Sequence, residues 1–451
     1  MIIGRYLLNS IIAKAILLFI IIGLLIYNKV ELSVIVLSFL TIVALDFAHP
    51  LVLRNYFLVY TCLMFGVARL FFIPQDNIYT IHGIFYSFAF YVGTLIRKYL
   101  FKGRIIYKKT ILYNRINRRI SAVWALLIII LILKTLVNIY TILNTGISSY
   151  FGGNSMVSTI ENYGQQNVSG GFDIILSSFF SSSIIAVVAM YVGIHLKNGR
   201  KLNYIALSYA LLFLPLLSLS RNAFAFGLIT MLLIYTMAEN TKGRLSGKLL
   251  LYGAITLIFL TFVGITIGRL RESQINISSN AEASSSLMMV YGELSPIVAY
   301  ETIKTNLDNG VLSHQYGKTI IPPIIFKVVP RSWYPDKPIN STAYYAQKTN
   351  SDAFENGFMI PSTFYGDLYL NFGLIITIFI CIFFGYFVAV LDYAYMDNIK
   401  SVLFIYLIIH NNFYAFLRNN IPEGFMNIFL TFAIYFFYRL LIESLTRKIP
   451  N

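Results

Sequence analysis

Five arginines and a few acids are the residues of this chain whose types and settings suit chemistry. Arg221 stands in LSLSRNAF, Arg269 and Arg271 in IGRLRES, Arg331 in VPRSWYPDKP and Arg418 in FYAFLRNNIPEGF. A planar guanidinium can grip two phosphate oxygens at once. Any one of them has a simpler explanation, since an arginine at a helix end keeps its head in water while its stem lies on apolar surface. As a set on one outer face they ask for more, because positive charge is normally sparse there. A membrane-embedded diphosphate is the ligand that suits them. Lys337 lies in the same stretch as Arg331, with Trp333 and Tyr334 between them offering flat faces for stacking.

Glu293, Glu301, Asp336, Asp367 and Glu423 lie in or beside the same region. Asp336 beside Lys337 reads as a local pair in the YPDKP turn, where prolines hold the backbone. Asp367, at the entry to an apolar run in STFYGDLYLNFG, is costlier to bury and so draws more notice. His314 is the histidine of an outer loop and a second kind of proton acceptor. The candidates for a general base are therefore Glu293, Asp367 and His314.

No soluble-enzyme motif is present: no P-loop, no G-x-G-x-x-G after a strand, no H-E-x-x-H and no G-x-S-x-G. The histidines (His49, His82, His195, His314, His410) are scattered, and Cys62 and Cys381 both sit in apolar runs, which predicts neither a metal cluster nor a disulfide framework. Eight basic residues between 269 and 362 are matched by eight acids. That balance predicts no metal ion and no cofactor, with fixed arginines supplying the charge a cation would otherwise bring.

The elements that must position these residues are membrane spans. Charged residues make up only 12% of the chain, hydrophobic ones 57%, and the mean hydropathy is +0.71. Apolar runs near 10–27, 32–48, 52–73, 79–96, 121–143, 173–196, 203–219, 223–238, 249–268, 365–391, 401–417 and 424–441 predict about twelve transmembrane helices and an all-α polytopic membrane protein. The net charge of +16 then reports basic cytoplasmic loops rather than nucleic-acid binding. The stretch 97–119 carries nine basic residues and no acid, and is assigned to the cytoplasm. Counting spans from it puts both termini in the cytoplasm and two long loops, 144–172 and 269–364, outside. Loop 392–400 fits poorly, because Asp392 and Asp397 outnumber Lys400.

The chain divides into spans 1–268, a large outer loop 269–364, and spans 365–451. Within the loop, helical spacing of apolar residues predicts an amphipathic helix over 284–306, bent at Pro296. The proline-punctuated IIPPIIFKVVP (320–330) is expected along the membrane surface.

These segments resemble Wzy-type O-antigen and related oligosaccharide repeat-unit polymerases. VPRSWYPDKP is similar to that family's outer-loop segment of proline, tryptophan and basic residues. NSTAYYAQ and FMIPSTFYGDLYLNFG resemble its Asn-rich and Pro-Ser/Thr-x-x-Gly stretches. LSLSRNAFAFGLITMLLIY resembles its Arg-bearing hairpin, and LRNNIPEGF its late outer turn, here with extra residues between Arg and Gly. The resemblance runs from about residue 215 to the C-terminus by motif, and by topology elsewhere. It implies a GT-C-like membrane glycosyltransferase in a bacterial inner membrane. Such an enzyme transfers a glycan from undecaprenyl diphosphate to the terminal sugar hydroxyl of another lipid-linked repeat, and a chain-length regulator is a partner it allows. An O-antigen ligase shares the donor and general topology, but its His-Ser motif is not matched around His314. A flippase for lipid-linked sugars would show short, even loops and a pseudo-repeat, neither of which is visible.

Overall fold

Backbone that cannot reach water must satisfy its own hydrogen bonds, and in lipid a helix is the local way to do so. The computed structural model describes residues 14, 31–73, 76–100, 120–145, 168–197, 201–217, 221–239, 296–326, 329, 333–334, 336–351, 354, 361–397 and 402–447, and these are all-helical, with no strand. In chain order α1 is Leu32–Ala44, α2 Leu53–Phe72, α3 Ile78–Leu100, α4 Ile120–Thr145 and α5 Val168–Lys197. α6 is the consecutive run Tyr204–Ser208, Tyr209–Phe213 and Leu214–Leu217, and α7 is Arg221–Ala238. The outer-loop segment contributes α8 Pro296–Asp308, α9 Ile321–Phe326 and α10 Ser341–Thr349. The chain closes with α11 Thr363–Met396, α12 Leu403–Arg418 and α13 Ile421–Arg447.

Among the described residues six helices are long and apolar enough to cross a membrane: Leu53–Phe72, Ile78–Tyr99, Ser121–Tyr140, Phe179–Leu196, Thr363–Met396 and Ile421–Ser444. They correspond to six of the expected spans. The apolar runs at 32–48, 203–219, 223–238 and 401–417 form shorter helices, and those at 10–27, residue 14 apart, and 249–268 lie outside the described residues. The thirteen residues of α1 rise only about 20 Å, short of a hydrocarbon core of about 30 Å.

The centre of the bundle is the pairing of α3 with α11, and glycine makes it close. A Cβ on Gly93 would lie 2.0 Å from the Ile382 carbonyl oxygen, and one on Gly385 2.1 Å from that of Phe90. Backbone against backbone is how helices gain contact in lipid, where no hydrophobic force drives them together. Around this seam Phe57 stacks on Phe90 at 3.8 Å between centroids, and Tyr86 on Tyr365 at 5.2 Å.

The 34 residues of α11 would rise about 50 Å if straight, well beyond the hydrocarbon core. The helix is broken at Gly373 (φ 71°, ψ −176°), a conformation open to glycine and essentially closed to other residues. Before the break, Thr363–Asn371 is buried except at Tyr369. After it, Ile375, Phe379, Phe383 and Phe387 form an exposed apolar stripe at four-residue spacing, 50–73% exposed. A protein-buried piece thus gives way to one with an exposed apolar stripe.

The bundle has two distinct ends. At one, Arg97 lies over the Tyr393 ring at 5.6 Å, and the buried Asp392 accepts the N–H groups of Leu53 (2.9 Å) and Arg54 (3.1 Å). Asp392 therefore sits inside α11 and caps the start of α2, so it is not the loop charge its position in 392–400 implied. At the other end lie α8, α9, α10 and the α12–α13 turn. The expected helix 284–306 is described only from Pro296, which opens α8; residues 284–295 lie outside the described residues. Tyr300 fastens α8 to α3 through the Tyr86 hydroxyl (2.7 Å) and His82 Nδ1 (2.9 Å). α9 exposes Ile321 and Ile325, in keeping with an apolar helix lying at a membrane surface.

Candidate functional site

The break at Gly373 frees the carbonyls of the preceding turn, and residues 314–317 take them up. The Gln315 N–H donates to the Leu370 carbonyl at 3.1 Å and the Tyr316 N–H to that of Asn371 at 3.0 Å. The turn that allows this passes through positive φ at Tyr316 (49°) and Gly317 (87°). Gly317 N–H then donates to Asn371 Oδ1 at 2.9 Å.

His314 is held by the same carbonyl. Its Nδ1 lies 3.2 Å from the Leu370 oxygen. A carbonyl can only accept, so Nδ1 carries the hydrogen and Nε2 is left with its lone pair. The ring is exposed and stands against the break, where a Cβ on Gly373 would meet His314 Cε1 at 3.5 Å. A fixed ring with an accessible Nε2 is the arrangement a general base requires.

Asp367, read from the sequence as another candidate base, is fully buried. Its Oδ1 accepts the Ser362 hydroxyl and its Oδ2 the Ile421 N–H at 2.6 Å. Ser362 also bonds Thr342, whose hydroxyl oxygen accepts the Ser362 N–H at 3.0 Å. Asn371, one turn on, donates to the Asp367 carbonyl at 2.8 Å and joins Thr319 and Ser341. Asn420 Oδ1 accepts the Glu423 N–H at 2.9 Å, and Asn340 Oδ1 the Ala343 N–H at 2.9 Å, so each asparagine caps its helix. The starts of α10, α11 and α13 converge on this buried carboxyl group, which accepts the Ser362 hydroxyl and the Ile421 N–H. With both oxygens engaged and no exposed face, Asp367 is a positioning residue in this arrangement.

What Asp367 positions is the turn carrying Arg418. That arginine ends α12, and Asn419 and Asn420 lead directly to the pinned Ile421. Gly424 tightens the turn, since a Cβ there would come within 2.5 Å of Phe416 Cα. The His314 turn and the Arg418 turn are thus tied to one helical piece, Thr363–Phe372, through Leu370, Asn371 and Asp367.

The remaining candidates are spread more widely. Lys337 Nζ donates to the Val329 carbonyl at 3.0 Å. Tyr334 packs on Phe326 at 5.2 Å between centroids, and Trp333 is 80% exposed. Arg221 opens α7. Arg269, Arg271, Glu293 and Arg331 lie outside the described residues. Among the described residues no three His, Cys, Asp or Glu side chains gather as metal ligands. Sequence reasoning missed the Asn and Ser/Thr groups that build the network. The available signal was Asn371 one helical turn after Asp367 and just before Gly373, which puts acid and amide on one face ahead of a breaker.

No family model, curated protein or solved structure matches this chain.

Proposed function

We propose that the chain is a membrane-embedded, GT-C-like glycosyltransferase that polymerises lipid-linked oligosaccharide repeat units at the outer face of a bacterial cytoplasmic membrane, with both termini in the cytoplasm. The observation that carries this reading is His314: a ring fixed through Nδ1 to a carbonyl freed by a broken helix, with Nε2 accessible, at the end of the bundle that also bears Arg418. Both substrates are undecaprenyl-diphosphate-linked, so the reacting atoms stay near the membrane surface, where these residues lie in the proposed topology.

In the reaction, the acceptor sugar hydroxyl oxygen attacks the anomeric carbon of the donor glycan. The bond from that carbon to the diphosphate oxygen breaks, its electron pair leaves with the diphosphate, and the hydroxyl proton passes to His314 Nε2. Negative charge grows on the leaving oxygen. Arg418, with Arg221, Arg269, Arg271 and Arg331, is proposed to stabilise it by fixed guanidinium charge. Trp333, Tyr334 and Lys337 would hold sugar faces and hydroxyls. Glu293 is kept as a second candidate base.

The test is the surface-polysaccharide ladder of a deletion strain complemented with Arg221→Lys, Arg331→Lys or Arg418→Lys. Polymerase function is expected to leave single repeat units and lose long chains. The three lysine variants should each shorten the ladder, because an ammonium cannot reproduce the two-point grip. Loss of all surface glycan in the deletion strain would instead point to a ligase or flippase. Wild-type ladders from all three variants at normal protein level would remove the arginine set. Activity of the purified chain in excess EDTA completes the test. Loss that Mg²⁺ or Mn²⁺ restores would replace the arginine-only chamber with a metal site.

A further inference from the structure

Away from the His314 turn, α5, α12 and α13 line a half-open cavity of about 210 Å³; among the described residues its lining is Ser181, Ser182, Asn411, Asn412, Asn427 and Thr431, with Ile185 the one apolar side chain. α5 and α13 are both long enough to span, so this polar wall lies among helices whose other faces meet lipid. Six polar, uncharged side chains converging between such helices are costly unless something answers them.

The protein answers only part of the need. The Thr230 hydroxyl donates to Asn411 Oδ1 at 3.1 Å, which turns the Asn411 NH₂ the other way. Asn412 Nδ2 donates to the Ile408 carbonyl at 2.9 Å, and the Thr431 hydroxyl to that of Asn427 at 2.7 Å. Among the described residues, the Asn411 NH₂, Asn412 Oδ1, the Asn427 carboxamide and the Ser181 and Ser182 hydroxyls have no protein partner. What is left over is therefore a mixture of donors and acceptors, with no formal charge.

That mixture selects a ligand class. A phosphate would call for cationic donors, and among the described residues no lysine or arginine lines the cavity. A bare cation would leave most of the volume empty, since 210 Å³ is room for about seven waters. A neutral ring bearing several hydroxyls both donates and accepts at each oxygen, as the wall does, and is of fitting size. Asn411 lies seven residues before Arg418, on the same face of α12 and about 10 Å along it. We propose that this cavity is a binding site for an uncharged sugar ring. That the ring belongs to the lipid-linked glycan rests on the transferase reading; the binding itself does not.

The full chain in lipid nanodiscs, prepared without glycoside detergents that would compete, is titrated with uncharged methyl hexosides and methyl N-acetylhexosaminides, read by saturation-transfer NMR. A saturable signal at millimolar concentration is expected from at least one of them. Asn411→Leu and Asn427→Leu should each weaken it at least about tenfold, the loss of about two neutral hydrogen bonds. Ser182→Ala, the gentler change, should weaken it about threefold and serves if a leucine variant fails to fold. A cavity that holds water only would give no saturable signal with any glycoside, and that result overturns the proposal, as do variants that bind like the parent. Because unreacted protein is measured, the outcome separates from the polymerase test. Glycoside binding alongside loss of all surface glycan in the deletion strain removes the polymerase reading alone, and shortened ladders without glycoside binding remove the cavity alone.

Discussion

Asp367 Oδ2 accepts the backbone N–H of Ile421 at 2.6 Å, so a carboxylate on α11 begins α13. The same helix repeats the device at its other end, where Asp392 accepts the N–H groups of Leu53 and Arg54 at the start of α2. Helix starts leave N–H groups without intrahelical partners, and here two acids from one neighbour supply them. Asp367→Asn presents one oxygen where two are used, and leaves a buried donor without its acceptor. The expected cost is about 1–3 kcal/mol, read as a lower melting temperature, with sugar transfer falling in step. Transfer abolished at unchanged melting temperature would instead make Asp367 the base.

His314 separates base from scaffold by substitution. In His314→Asn the carboxamide NH₂ replaces Nδ1 as donor to the Leu370 carbonyl, and nothing replaces Nε2. Stability within about 1 kcal/mol of the parent and loss of transfer are expected. Full transfer in the asparagine variant would remove His314 from the chemistry. Gly373→Ala attacks the same turn from the backbone, forcing a Cβ into a glycine-only region at a cost of about 1–3 kcal/mol. It should lower both melting temperature and transfer.

The α3–α11 seam predicts strong size dependence. Gly93→Ala and Gly385→Ala each put a methyl group about 2 Å from a backbone oxygen, a collision only helix separation can relieve. Each should cost about 1–3 kcal/mol, as overpacking does, and the leucine variants should fail to accumulate. Size-exclusion profiles and membrane yield measure this. A melting temperature unchanged in both alanine variants would mean the helices do not meet as described.

At the opposite end, Asp46 links pH to stability. Burial opposes its charge, but the His49 side chain and the Arg54 guanidinium outweigh burial and hold the carboxyl down from 3.8 to about 2. A depressed carboxyl stabilises the fold above its unfolded value of 3.8, and that contribution is lost as pH falls through about 2. Asp46→Asn should therefore cost on the order of 2 kcal/mol at neutral pH, the shift of 3.8 − 2 converted at about 1.4 kcal/mol per unit. The gap to the parent should close between pH 4 and pH 2. A gap independent of pH would assign the loss to the hydrogen bonds that Asp46 Oδ1 accepts from the Ala48 and His49 N–H groups rather than to its charge.

Sidedness is checked with thiols. In a background lacking Cys62 and Cys381, Trp333→Cys sits on a side chain 80% exposed and should react with an impermeant reagent added to spheroplasts. Ser121→Cys, exposed at the start of α4 beside the basic stretch, should not. The reverse pattern would invert the topology and move the His314 turn to the cytoplasm.

Hydropathy and charge along the chain are local quantities, and they determined what is local. The six long spans, the basic stretch 97–119, the apolar α9 and the helix from Pro296 can each be read from neighbouring residues, because period and composition act over a turn or a bilayer thickness. The arginine-bearing turns could be picked out by composition, but not assembled. The carboxylates show why. Asp367 and Asp392 look in sequence like a catalytic candidate and a misplaced loop charge. The helix-start N–H groups of Ile421 and Leu53 that they accept lie 54 and 339 residues away. His314 reads as a lone histidine until Leu370, 56 residues on, offers a carbonyl that only the Gly373 break sets free. A buried polar group must find a partner, and which partner it finds depends on how α3, α11 and α13 pack. Tertiary structure alone therefore decided which acid is a scaffold, which ring nitrogen is free, and which asparagines wall a cavity.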